Sequence, residues 1–179
     1  MHFLYTIHAL ERAWYMSKSR YKLYTDGSFR QPCYGAWGAI LFEGKKKKPT
    51  RIEAHPVFNT TSQRMELMAI IEGIKWIDEP SHITIYSDSK YAVFSIKTWI
   101  TRWAQNNWMT FAGSPVRNKD LMQELYRLKK KHTLSPVWVR GHNGDTYNEE
   151  CDRNVQAVTS KMVLGEIKPP EKTAPSDKK

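Results

Sequence analysis

The sequence predicts an α/β fold: a five-stranded mixed sheet, an antiparallel meander plus parallel strands, flanked by helices. Three observations point there. Three strand-like segments follow one another over residues 21–58 with only short turns between them. From Ser62 the apolar period becomes helical. Beyond that point strand-like and helical segments alternate, and a strand–helix–strand crossover makes its two strands parallel.

The elements follow in order. Residues 21–25 alternate around Leu23 and read as the first strand, stopped by Asp26, Gly27 and Ser28. Residues 35–42 (GAWGAILF) read as a second, mostly buried strand. The lysine run 45–48 and Pro49 make a turn that projects positive charge, and residues 51–58 make the third strand. Leu67, Ile70, Ile71, Ile74 and Ile77 then recur at helical spacing, behind threonine and serine N-cap candidates, and Pro80 ends that helix. Residues 82–87 (HITIYS) form a fourth strand, and a helical stretch starts at Ser89. Residues 99–116 are rich in tryptophan and asparagine and end in a loop signal, AGSP. Residues 119–131 read as helix and residues 137–139 as a short fifth strand. The loop RGHNGDTYN then leads into a last helix over about residues 149–164.

One domain is expected over residues 21–164. Residues 1–20 form an N-terminal extension of uncertain order. Their apolar part is short and interrupted by Glu11, which makes a poor secretory signal. They read as a helical extension or as an over-long start ahead of Met16. Residues 165–179 carry three prolines and almost no apolar content, so a disordered basic tail is expected.

The 179 residues carry a formal net charge of +10, which favours a polyanionic partner, nucleic acid before an acidic membrane surface. Two cysteines, Cys33 and Cys151, lie far apart, which supports neither a disulfide framework nor a zinc site and reads as free thiols in a reducing compartment. No apolar run approaches the roughly 20 residues of a membrane span.

Asp26 and Asp88 each follow a strand and precede small residues (YTDGSF, IYSDSK). If the two strands are neighbours, a spacing of about 4.8 Å brings the carboxylates together. Bare carboxylates that close repel, unless one takes a proton or a cation sits between them. A hard divalent metal explains the pair, and a turn explains each aspartate singly about as well. Glu66 lies near a helix start, where it complements the helix dipole. Asp152, on the last helix, reads alone as a solvated acid.

The ordered set TDGS, RMELMA, SDSKY, GHNG and NEECDRN, with the linking stretches TTSQRMELMAI and WITRWAQNNWMTFAGSPVRNKDL, resembles type 1 ribonuclease H over about residues 21–161. The resemblance implies a ribonuclease H-like sheet in a catalytic domain over residues 21–164. It also implies cleavage of the RNA strand of an RNA–DNA hybrid, giving 5′-phosphate ends. Asp26, Glu66, Asp88 and Asp152 would hold two Mg2+ (magnesium) ions, with Mn2+ (manganese) as substitute. His142, in a glycine-flanked loop, would move a proton or help product leave. A two-metal centre suits the chemistry, since phosphodiester hydrolysis needs an activated water and a stabilised leaving oxygen.

Hybrid recognition reads 2′-hydroxyls on one strand and shape and phosphates on the other. Gly27, Ser28, Ser62 and Gln63 are candidates for the first task. By the resemblance, Asn118 meets a DNA phosphate, and Trp99, Arg102, Trp103 and Trp108 lie in an arm along the DNA strand. The sequence departs from the family pattern in a short loop after Asp26, in Ser62 where asparagine is usual, and in an arm poor in lysine. Its basic clusters stand instead at residues 45–48 and 127–131. A monomer is expected, with no membrane partner and a cytoplasmic location, an organellar or viral origin being left open. The alternatives are a ribonuclease H-like nuclease with another duplex substrate and a catalytically relict hybrid-binding module.

Overall fold

The computed structural model describes residues 19–170. The meander consists of β1 (Arg20–Arg30), β2 (Tyr34–Glu43) and β3 (Arg51–Phe58), after which α1 (Ser62–Lys75) crosses to β4 (His82–Ser87). Then α2 (Lys90–Phe94), a π-helical turn (Ser95–Trp99) and α3 (Ile100–Gln105) run on without a break. Next come α4 (Lys119–Lys131), β5 (Thr133–Trp138) and α5 (Thr146–Val163). The strand order is β3-β2-β1-β4-β5. Pairing is antiparallel from β3 to β1 and parallel from β1 to β5, as the crossovers require. Most of the expected N-terminal extension and of the expected tail lies outside the described residues.

The first strand does not stop at Asp26. Its parallel ladder to β4 ends at Tyr24↔Tyr86, but its antiparallel ladder to β2 continues through Asp26↔Gly38 to Arg30↔Tyr34. Gly27 and Ser28, read from the sequence as a stop, are strand residues, because β2 supplies partners that a local reading cannot see. The fifth strand starts earlier than expected and includes Pro136. Proline is tolerated there because β5 is an edge strand. The first helix ends at Lys75, five residues before Pro80, with Trp76 as its C-cap. The last helix starts at Thr146, where the Asp145 side chain accepts from the backbone N–H groups of Tyr147 and Asn148.

The main core lies between the sheet and α1, the α2–α3 segment and α4, with Leu23, Ile70, Ile74, Ile83, Ile85, Ile100 and Leu125 fully buried. Each such side chain contributes about 1.5–3 kcal/mol. A smaller cluster on the other face joins Ile40, Phe42 and Cys151, with Tyr24 and Tyr147 at its margin. Both cysteines are free, Cys33 exposed and Cys151 buried. Among the described residues, no helix is long and apolar enough to cross a membrane.

Candidate metal centre

Side chains alternate along β1. Leu23 and Gly27 face α1, while Asp26 and Ser28 face α5. Gly27 sets how closely β1 and α1 approach. A Cβ there would meet the Glu66 backbone N at 2.5 Å and the Met65 carbonyl carbon at 2.7 Å. Only glycine lets α1 lie against β1 so that Glu66 reaches Asp26. The Gly27 N–H also donates to Asp26 Oδ1 at 2.7 Å, which orients that carboxylate.

Asp88 follows the last residue of β4. Its carbonyl oxygen accepts from Trp138 Nε1 at 2.9 Å, and the next residue, Ser89, caps α2. Gly141 lies directly over it, since a Cβ there would come within 2.7 Å of Asp88 Oδ2.

Asp26, Glu66 and Asp88 each offer a carboxylate oxygen, and these atoms lie within 4.8 Å of one another. Burial, then the neighbouring Asp88 charge, pushes the Asp26 carboxyl from its ordinary 3.8 to about 8. Glu66 is pushed well above its usual range by burial and by the Asp26 and Asp88 charges. Asp88 is raised too, chiefly by burial. Glu66 Oε2 is buried without a hydrogen-bond partner. Crowded, desolvated carboxylates with an unsatisfied oxygen are costly unless protonated or bound to a cation. An all-oxygen donor set of this kind suits a hard divalent ion. Glu66 is the fifth residue of α1, past its first turn, so the helix dipole does not account for it.

Asp152 lies on α5, outside the three-carboxylate set, and its charge acts on both Asp26 and Asp88. Its Oδ1 accepts from Gln156 Nε2 at 3.4 Å. His142 is exposed, has φ +52°, and sits near enough to Asp88 for its charge to favour that carboxylate. Asn148, buried at 2%, also hydrogen-bonds the Asp88 carboxylate. It was not among the candidates from sequence. The available signal was its position four residues before Asp152, which puts both on one face of α5.

Ser62, Gln63 and Asn118 come together, lining with Thr61 and Arg117 a cleft of about 430 Å³. The fork of Arg64 on Asp120, at 2.9 and 2.6 Å, ties the starts of α1 and α4 and so holds the cleft's walls. Asn118 takes left-handed backbone, φ +54°, and donates to the Tyr91 hydroxyl at 3.3 Å. Ser28 is turned away from this cleft. It is 4% exposed and its hydroxyl pairs with Thr159 at 3.1 Å.

In the arm, the Trp99 ring lies among Tyr91, Phe94 and Trp103. Trp103 and Trp108 pack against the main core, Trp108 edge-on to Tyr126, and Arg102 is exposed. The Met109↔Pro115 bridge closes a turn with Phe111 fully exposed at its tip. Phe111 was not singled out from the sequence either.

A family model described as RNase H matches residues 18–160. The chain is 40% identical over 135 residues to a ribonuclease H of Thermoanaerobacter sp. (strain X514), covering 74% of this chain and 84% of that one. It is 39% identical over 151 residues to a ribonuclease H of Francisella tularensis subsp. novicida (strain U112), covering 83% and 97%. Among solved structures, LC9-RNase H1, a type 1 RNase H with the type 2 active-site motif, superposes with a TM-score of 0.68. It is 23% identical to this chain and covers 80% of it and 73% of its own length. The PFV RNase H domain superposes with a TM-score of 0.65 at 18% identity, covering 82% of this chain and 95% of that one. These two share the fold, and the closer sequence relatives share the family. With the matched span enclosing both the mixed sheet and the carboxylate cluster, this chain belongs to the type 1 ribonuclease H family of nucleases, and it is an enzyme.

Proposed function

We propose that this protein is a metal-dependent endonuclease that hydrolyses the RNA strand of RNA–DNA hybrids by a two-metal-ion mechanism. The observation that carries the reading is the cluster of Asp26, Glu66 and Asp88, whose oxygens converge within 4.8 Å in a desolvated site. Those three residues would hold one divalent ion, and Asp26 with Asp152 the second, with magnesium as the physiological metal and manganese as a substitute. Bound there, the metals supply Lewis acidity to a water and charge stabilisation to the leaving 3′-oxygen.

The chain's own residues do the positioning. The Gly27 amide and Asn148 orient the Asp26 and Asp88 carboxylates. His142, on an exposed loop beside Asp88, moves a proton or escorts product. Ser62, Gln63 and Asn118 receive the hybrid in their shared cleft, with contacts from the Gly27 backbone. Because the Ser28 hydroxyl is held by Thr159, any contact from Ser28 comes through its backbone. Trp99, Arg102 and Trp103 carry the arm that lies along the DNA strand. The protein acts as a monomer in the cytoplasm.

One assay tests this. Labelled RNA–DNA hybrid, duplex RNA and duplex DNA are incubated with the protein in magnesium, manganese or chelator. Metal-dependent cleavage of the hybrid's RNA strand, with duplex DNA intact, is expected. Preferential cleavage of another duplex would replace the substrate, and binding without turnover would leave only a hybrid-binding module.

A further inference from the structure

Two lysine-rich surfaces among the described residues differ in what they are free to do. In α4, Arg127 forks onto Glu124 at 2.9 and 2.8 Å, and Lys129 donates to the Ile96 carbonyl at 2.8 Å. Lys130 lies over the Tyr126 ring and Lys131 donates to the Ile77 carbonyl. That cluster is occupied by the protein itself. In the β2–β3 turn the case is opposite. Lys45, Lys46 and Lys47 join Lys22 of β1 around a cleft of about 360 Å³ whose remaining walls are Tyr24, Phe42 and Tyr147. Of the four lysines, only Lys46 has an acidic partner among the described residues, Glu43. The turn is fastened in place, because the Tyr147 hydroxyl donates to the Lys47 carbonyl at 3.4 Å. Four lysines around one cleft, three of them without an acidic partner among the described residues, favour an anion between them.

We infer that this lysine–tyrosine cleft is a second phosphate-binding site, which grips the nucleic-acid backbone away from the carboxylates. Lys22, Tyr24 and Asp26 stand on one face of β1, so at about 3.3 Å per residue Lys22 lies roughly 13 Å from Asp26. A nucleic-acid strand advances about 3.4 Å per nucleotide along its axis. A strand whose reacting phosphate stands at Asp26 therefore brings phosphates about four nucleotides away to the cleft. This inference rests on the hybrid-cleavage reading, and it accounts for an arm poor in cations.

The test is a salt titration of binding in chelator, so that nothing is cleaved, using a 16-base-pair hybrid. The proteins compared are wild type, the triple variant Lys22→Ala/Lys45→Ala/Lys47→Ala, and a charge-matched control, Lys75→Ala/Lys130→Ala/Lys131→Ala. Each phosphate contact contributes about 0.9 to the slope of log affinity against log salt. The cleft variant should flatten that slope by about two to three units, and the control by less than one. An unchanged slope in the cleft variant, or equal flattening in the control, overturns the site. Melting curves verify that both variants are folded. Running duplex DNA in parallel separates the two ideas: if the protein proves to act on another duplex, the slope on that duplex still reports on the cleft.

Discussion

Asp26 carries the centre's electrostatics in a single side chain. Its carboxyl titrates near 8 in the folded chain against 3.8 ordinarily, because it is buried beside Asp88. The folded state therefore holds a proton that the unfolded state has released between those two values. By linkage, metal-free stability falls as pH rises from about 4 to 8. Asp26→Asn removes that slope. In chelator the variant should melt a few degrees above wild type at pH 8, and the gap should close by pH 4. Its magnesium-dependent turnover should be lost, and near-normal turnover would refute its place in the centre. Gly27→Ala acts through geometry instead. The added methyl meets backbone of α1, which cannot rotate away, so urea denaturation should show a loss of about 1–3 kcal/mol together with reduced activity. The acids themselves were legible in the sequence, because their motifs follow one another in order. What placed them was not legible. Gly27 looked like a stop, Glu66 looked like a dipole partner, and Asn148 gave only a helical spacing, since close approach between elements distant in sequence leaves no local mark.

Elements were legible where the period is strong, as in α1, α4 and the meander, and blurred where tertiary partners decide. β1 runs on past Asp26 because β2 continues to pair with it, and β5 accommodates Pro136 because it is an edge. The loop between β5 and α5 holds His142 exposed and close to Asp88, pinned at Gly141 and capped at Asp145. His142→Ala should therefore slow turnover by roughly a hundred-fold while sparing hybrid affinity. A large loss of metal affinity instead would move the histidine into the ligand set. The arm divides by depth. Trp103 packs on the core, so Trp103→Ala should cost roughly 2 kcal/mol in a denaturant melt. Phe111→Ala, at a fully exposed tip, should change stability by less than about 0.5 kcal/mol.

The whole molecule combines a net charge of +10 with three crowded carboxyl groups gathered just past the end of the β1–β4 ladder. On the proposed function the basic surface draws a polyanion in, and the acids, once ionised, would repel its phosphates unless cations covered them. Metal binding should thus be visible in global stability without any substrate. A ligand that binds only the folded state stabilises by RT ln(1 + [L]/Kd), about 2.7 kcal/mol at a hundred times Kd. For a chain of this size each kcal/mol moves the Tm by roughly 2–4 °C. Saturating magnesium at pH 8 should therefore raise the Tm of the wild type by about 5–10 °C over chelator. At pH 5 the gain should shrink, because Asp26 then holds a proton that metal must displace. Asp26→Asn and Glu66→Gln should lose most of the shift, while His142→Ala, outside the carboxylate set, should keep it. The melts separate binding from catalysis: a wild type indifferent to magnesium at both pH values would mean that the three carboxylates relieve their crowding by protonation alone.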